Sequence, residues 1–171
     1  MSPKPLNVEL YAIGTEVVYG LTLDTNTHWL AQEVVRLGGD VRRVTKLHDE
    51  FDVMVDAFGE SVSRGADLVI STGGLGPTQD DVTAGVLARL TDSDLIQPDE
   101  VLDDYVRRRG VGSRADLNPT LMQMASVPAG ADVLINGAGW APGIRVPVSG
   151  TTFIALAGPP REMKSLFTDH V

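Results

Sequence analysis

The stretch from Asp67 to Thr83, DLVISTGGLGPTQDDVT, admits few folds. Leu68-Val69-Ile70 is a short apolar run, predicting a strand buried on both faces. Gly73, Gly74 and Gly76 follow, where the chain must turn and lie close to something. Lacking a Cβ, such a turn lets backbone N–H groups converge on an anion. Thr78 to Asp81 place hydroxyls and carboxylates where a helix is expected to begin, with Val82, Val86, Leu87 and Leu90 as its apolar face. Strand, glycine turn and helix N-terminus together shape a phosphate-sized pocket at the carboxyl end of a parallel sheet. The string is not a P-loop, having no Lys-Ser/Thr at its end, and its glycine spacing is not that of a dinucleotide fingerprint. Asp80 and Asp81 exceed what a phosphate loop needs. They point to metal binding, water activation or contacts to hydroxyls and ring nitrogens, the alternative being simple helix caps.

Within 171 residues one compact domain is expected, with 43% hydrophobic and 22% charged residues, ordinary for a soluble globular chain. A net charge of −9 argues against a nucleic-acid surface. The one basic run, Arg107 to Arg109, ends an acidic helix and suits its dipole. Without cysteine there is no disulfide, thiolate metal site or thiol nucleophile. No apolar run approaches membrane length and residues 1–7 lack a signal-peptide core, so a cytoplasmic protein is expected.

Four predicted strands end in glycine or aspartate. Residues 8–13 lead to Gly14-Thr15-Glu16, followed by an extended excursion over 17–23 and a helix carrying Trp29, Leu30, Val34 and Leu37. Asn26, at the start of that helix, reads as a cap, a pocket group or both. Residues 40–47, interrupted by arginines, predict a strand near an edge, ending at His48-Asp49-Glu50 before a helix over 51–63. Asp49 reads as an N-cap or as a rim group, and His48 as a packing or surface residue rather than a ligand. Helices are expected over 98–109 and 116–124, with Leu121, Met122 and Met124 in the core. A short strand at 133–135 precedes a second glycine loop, 136–143. Residues 144–148 and 152–157 predict a hairpin through Ser149-Gly150, antiparallel at the sheet edge. The last strand delivers Gly158-Pro159-Pro160, where a final helix starts. With parallel strands, Gly14, Asp49, Gly73 and Gly158 gather on one rim, which argues for a single ligand site there.

The string from Ser71 to Thr83 resembles the signature of the MoaB/Mog molybdopterin-binding domain family, most closely the CinA N-terminal type. The likeness extends to residues 14–16, 25–26, 49, 141–143 and 158–163, almost the whole chain. It implies a three-layer α/β/α fold, a mostly parallel sheet with one antiparallel edge strand, as a single domain over 1–171. The amidase domain into which CinA chains often continue is not among these residues. Family members bind molybdopterin or its adenylylated form. The CinA branch looks like a hydrolase splitting the pyrophosphate of ADP-ribose-like nucleotides, with a divalent metal cation and potassium. The matching positions make Asp49 and Asp81 the catalytic and metal-binding acids. They make Gly14, Thr15, Glu16, Asn26, Thr72, Gly73, Gly74, Gly76, Thr78, Asp80, Gly158, Pro159 and Pro160 the substrate-binding set. A homo-oligomer is expected, with a nucleotide or pterin phosphate as partner and neither nucleic acid nor membrane.

Three departures stand out: Trp140 replaces a small hydroxyl residue, Ala157 replaces a proline, and Leu121 to Met124 lack a basic residue. Three functions therefore compete: nucleotide pyrophosphatase, molybdopterin binding or adenylyl transfer, and a nucleotide-binding module without turnover.

Overall fold

The computed structural model describes residues 4–171. In chain order the elements are β1 (Asn7–Ile13), α1 (Thr15–Val18), α2 (Asn26–Arg36), β2 (Asp40–Leu47), α3 (Phe51–Ser63), β3 (Leu68–Thr72) and α4 (Thr83–Leu90). An excursion follows: β4 (Leu95–Ile96), α5 (Asp99–Arg109), a 3-10 turn (Arg114–Asp116), α6 (Pro119–Met124) and β5 (Val127–Pro128). The chain then returns through β6 (Asp132–Leu134), β7 (Gly143–Val148), β8 (Thr151–Leu156) and α7 (Pro160–His170).

The main sheet has the order β2-β1-β3-β8-β7-β6. β1 runs parallel to β2 and β3, and β3 parallel to β8, while β7 is antiparallel to both of its neighbours. This is the expected three-layer fold, with β7 as the antiparallel strand and the short β6 finishing that edge. Ser149 and Gly150 turn the β7–β8 hairpin with φ of 47° and 90°, the positive pair that a two-residue turn demands.

Side-chain alternation on the inner strands builds two cores. Tyr11, Ile13, Val69 and Phe153 face Met54 and Phe58 of α3 and Val86 and Leu87 of α4. Val8, Leu10, Ile70, Ile154 and Leu156 face Leu30 and Val34 of α2 and Met163, Leu166 and Phe167 of α7. Neighbouring residues along β1, β3 and β8 thus serve opposite layers, as the period of two requires. The excursion packs a core of its own around Leu102, Tyr105, Leu117 and Leu121.

Besides the buried hydroxyls of Ser71, Thr72 and Thr151, one strand position buries a charged residue. Glu9 is 2% exposed in β1. Arg64 donates to it through Nε (2.9 Å) and Nη2 (2.7 Å), Ser61 donates at 2.7 Å, and Tyr11 shares the Ser61 hydroxyl at 2.6 Å. The Arg64 guanidinium holds the Glu9 carboxyl below its usual range, while burial pushes the Tyr11 phenol up.

Three local expectations change. Residues 17–23 are not simply extended, because Val17 and Val18 donate to Gly14 O and close the single turn of α1. The helix after the glycine loop begins at Thr83 rather than near Thr78, because Asp81 folds residues 78–81 into a turn of their own. The segment 116–124 divides at Asn118, whose Oδ1 accepts from Leu121 N at 2.9 Å with Pro119 in the first helical position.

Candidate functional site

Because β1, β2, β3 and β8 are parallel, Gly14, Asp49, Gly73 and Gly158 emerge at the same end of the sheet. Hydrogen bonds lace these turns together. Gly14 N donates to Leu47 O and Gly73 N to Leu156 O, each at 3.0 Å. Thr15 N donates to Asp49 Oδ2 at 2.8 Å.

The glycines meet real constraints. A Cβ on Gly73 would lie 2.2 Å from the carbonyl oxygen of Ile13, and one on Gly74 2.2 Å from Thr83 Oγ1. Their φ values, 110° and 69°, are in the region that favours glycine. Thr83 braces the loop from below, donating through Oγ1 to Gly73 O and through N to Gly74 O, each at 3.0 Å. Gly73 spends its amide on the sheet. Among the described residues the amides of Gly74, Leu75 and Gly76 have no acceptor.

A cavity of about 510 Å³ opens on this rim. Its acidic wall is Glu16, Asp49, Asp80 and Asp81, and Gly14, Gly73, Gly74, Gly76, Thr78, Gly158 and Pro159 complete the expected set within it. Among the described residues no Lys, Arg or His lines it. Thr15 lies outside the lining; its amide holds Asp49.

On one flank is a smaller hollow of about 160 Å³, which Asn26, Thr72 and Pro160 line and which shares Glu16 and Gly158 with the acidic cavity. On the other is a cleft of about 290 Å³ that shares Gly74, Leu75, Gly76 and Asp81 with it.

None of Asn26, Asp49 and Asp81 makes a side-chain cap bond to the helix it opens or precedes. Asn26 does not cap α2; Asp24 accepts from Thr27 N at 3.0 Å instead. Asn26 Nδ2 bridges two rim turns, donating to Thr72 Oγ1 (2.9 Å) and Gly158 O (2.7 Å), and its Oδ1 is buried without a partner. Asp49 is no cap of α3, where Glu50 holds the N-cap position without a side-chain bond. Asp81 accepts through Oδ2 from Thr78 N (2.8 Å) and Thr78 Oγ1 (2.6 Å). His48 packs as expected, its ring edge-on to Tyr19 at 5.3 Å.

Two departures line neither the acidic cavity nor its flanking hollow and cleft. Trp140 stacks under Arg108 at 4.3 Å and edge-on to Tyr105, whose phenol burial pushes strongly upward. Arg108 also donates to Asn136 O (3.0 Å) and Gly139 O (2.6 Å), so the basic run pins the second glycine loop beyond serving the helix dipole. Ala157 is buried, and its carbonyl accepts from Thr72 Oγ1 at 2.8 Å. In the third departure Gln123 reaches across to Thr78 O at 3.3 Å.

Asp24 serves as the capping acceptor its position ahead of α2 suggests, while Thr83 and most residues of the flanking cleft escape sequence reasoning. Thr83 ends the glycine string and carried a signal. The cleft draws on positions 51, 75, 95, 123, 124, 126 and 142, which no single motif links.

Among the described residues no three acidic or imidazole groups come together as a metal cage. Magnesium, however, is commonly held by one or two carboxylates together with substrate phosphates. Asp49 and Asp81, each with one oxygen tied to backbone, fit that arrangement.

The fold has counterparts among known proteins. A family model described as "Probable molybdopterin binding domain" matches residues 9–171. A CinA-like protein of Akkermansia muciniphila is 41% identical over 173 residues, covering 98% of this chain and 40% of that protein. A protein of Pyrobaculum aerophilum is 38% identical over 162 residues, 95% of this chain and 60% of its own length. The chain thus spans about 40% to 60% of these curated relatives. The crystal structure of CinA from Thermoplasma acidophilum superposes with a TM-score of 0.87 at 33% identity, covering 96% of this chain and 95% of that one. The tungsten cofactor synthesizing protein MoaB of Pyrococcus furiosus shares the fold, with a TM-score of 0.63 at 16% identity over 98% of this chain and 91% of that one. The chain belongs to the MoaB/Mog-type molybdopterin-binding domain family, in its CinA-like branch.

Proposed function

We propose that the rim binds the pyrophosphate of an ADP-containing nucleotide and hydrolyses it. One observation carries the reading: four carboxylates and the unspent amides of Gly74 to Gly76 share a single cavity. A carboxylate wall alone would repel a phosphate. Amides in the same cavity, with a cation at the acids, reverse that balance. A bound divalent cation would supply Lewis acidity and neutralise phosphate charge between Asp49 and Asp81, and potassium belongs to the same reading. The chain's own part is positional. Thr15 N fixes the Asp49 carboxylate and Thr78 fixes that of Asp81, so each keeps its second oxygen for a ligand or for the proton of an attacking water. Water adds to one phosphorus, the bridging P–O bond breaks, and AMP leaves with the other phosphate ester. Asn26, Thr72 and Gly158 hold the adjoining turn in place.

The family description favours a second reading, a molybdopterin or its adenylylated form with its phosphate on the same loop. A homo-oligomer and a cytoplasmic setting belong to the proposal; no described helix is long and apolar enough to cross a membrane. Incubation with ADP-ribose, FAD and magnesium, followed by chromatography for AMP, tests it. Release of AMP supports the hydrolase. Tight nucleotide binding without AMP would leave the binding module, and binding of a pterin phosphate alone would favour the second reading.

A further inference from the structure

β2 is an open edge: it pairs with β1 on one side and, among the described residues, with no strand on the other. Near its carboxyl end the loop from α1 to α2 projects Tyr19, Leu21 and Leu23, which are 69%, 80% and 81% exposed. Tyr19 ties this loop to the strand end, its ring edge-on to His48. Residues 17–23 carry no charge, in a chain whose net charge is −9. Single exposed apolar side chains need no explanation, whereas a cluster of them marks an interaction surface.

The apolar surface continues down both helix layers. Trp29 of α2 turns toward Phe167 of α7, and at about 3.6 residues per turn Val35 falls on the other flank, toward β2. In α3, Phe51 lies beside Gly85 of α4, so Val53 and Asp56 take the flank away from α4. Val44 pairs with Leu10, whose side chain faces α2, which puts Val44 and then Lys46 on the α2 side of β2. Val35, Val44 and Val53 are all exposed. So are Lys46 and Asp56, and among the described residues neither has an ion-pair partner.

We propose that this edge docks a second copy of the chain, related to the first by a twofold axis along β2. Such an axis sets the α2 side of each copy against the α3 side of the other. Val35 and Val44 then meet the partner's Val53, Lys46 meets the partner's Asp56, and the two uncharged loops stand together at the rim end. Arg42, Arg43 and Lys46 oppose direct pairing of two β2 edges, and contact through the helix flanks requires none. The size is adequate. The eight residues of β2 span about 26 Å, and a footprint of that length and similar breadth comes near the roughly 800 Å² per partner of a stable complex. Leu23 also lines the smaller hollow, so the second copy stands beside the ligand site. The inference gives the homo-oligomer of the proposed function its surface and does not rest on hydrolysis at the rim.

Sedimentation equilibrium of the whole chain tests it, with melting temperature as the control for folding. The parent is expected to be a dimer that dissociates on dilution. Lys46→Glu and Asp56→Lys are each expected to weaken self-association about tenfold by bringing like charges together. Mixed in equal amounts, these two variants should pair with each other at near-parent strength, because both contacts again join a base to an acid. A folding defect in either copy would not be cured by mixing. Leu21→Ser, at an exposed position, should weaken the dimer without lowering the melting temperature of the dilute protein. A parent that stays monomeric at every concentration overturns the proposal, since the surface then serves some other partner. So does an oligomer that all three variants keep, or a mixture that fails to pair. AMP release is measured apart from mass, so failure of the interface and failure of the hydrolase reading are told apart.

Discussion

Asp49 and Asp81 serve backbone groups and face a ligand cavity at once, and substitution separates the two roles. Asparagine keeps an oxygen that accepts from Thr15 N or from Thr78, so Asp49→Asn and Asp81→Asn should retain the fold. Turnover should fall by about 10²–10⁴, the usual range for lost acid–base help, when AMP release is measured beside melting temperature. Asp80→Asn is the control: Asp80 lines the same cavity, yet no backbone group holds it, and a smaller loss is expected. Parent-like turnover in both Asp49→Asn and Asp81→Asn would make these acids structural. The glycines should show the opposite signature. Gly73→Ala drives a Cβ into the Ile13 carbonyl oxygen at a φ of 110°, and a stability loss of about 1–3 kcal/mol by denaturant titration is expected.

Among the elements, β1 and α3 are held by more than apolar contact. Arg64→Leu strands the Glu9 carboxylate among apolar neighbours. A cost of about 2–3 kcal/mol is expected, below that of a fully buried pair because the guanidinium is 30% exposed. The sign with pH follows from the lowered Glu9 pKa. Its contribution is full above the unfolded value near 4.5 and is lost as pH falls through the folded value. Melting scans from about pH 6 to about pH 3 should therefore decline more steeply for the parent than for Arg64→Leu. This lock was invisible in the sequence, because Glu9 breaks a strand's inward pattern and its partners are more than fifty residues away. The rim was legible because each strand announces its end locally, with Gly14, Asp49, Gly73 or Gly158. The β4–β5 pair was not, since two residues on each side leave no periodicity to read. Asn26 also resisted local reading: its acceptors are 46 and 132 positions away.

For the molecule as a whole, a ligand bound only to the folded state should raise its melting temperature. Saturation at a hundredfold excess over Kd is worth about 2.7 kcal/mol, and differential scanning fluorimetry with ADP-ribose or a pterin phosphate reads it. No shift with either class would count against the rim as a binding site. The sheet order carries a different consequence. β3 is the centre of the fold, yet β8, its partner, is pinned to it through pairs such as Leu68↔Thr152, 84 positions later. On the ribosome, at roughly 5–20 residues per second, the nascent chain would show the bare side of β3 for about 4–17 s before β8 emerged. During that interval Val69 and Ile70, both destined for full burial, stand on an open strand edge. Slowed elongation downstream of residue 90 would lengthen the time for which this edge stays open to pairing with other chains.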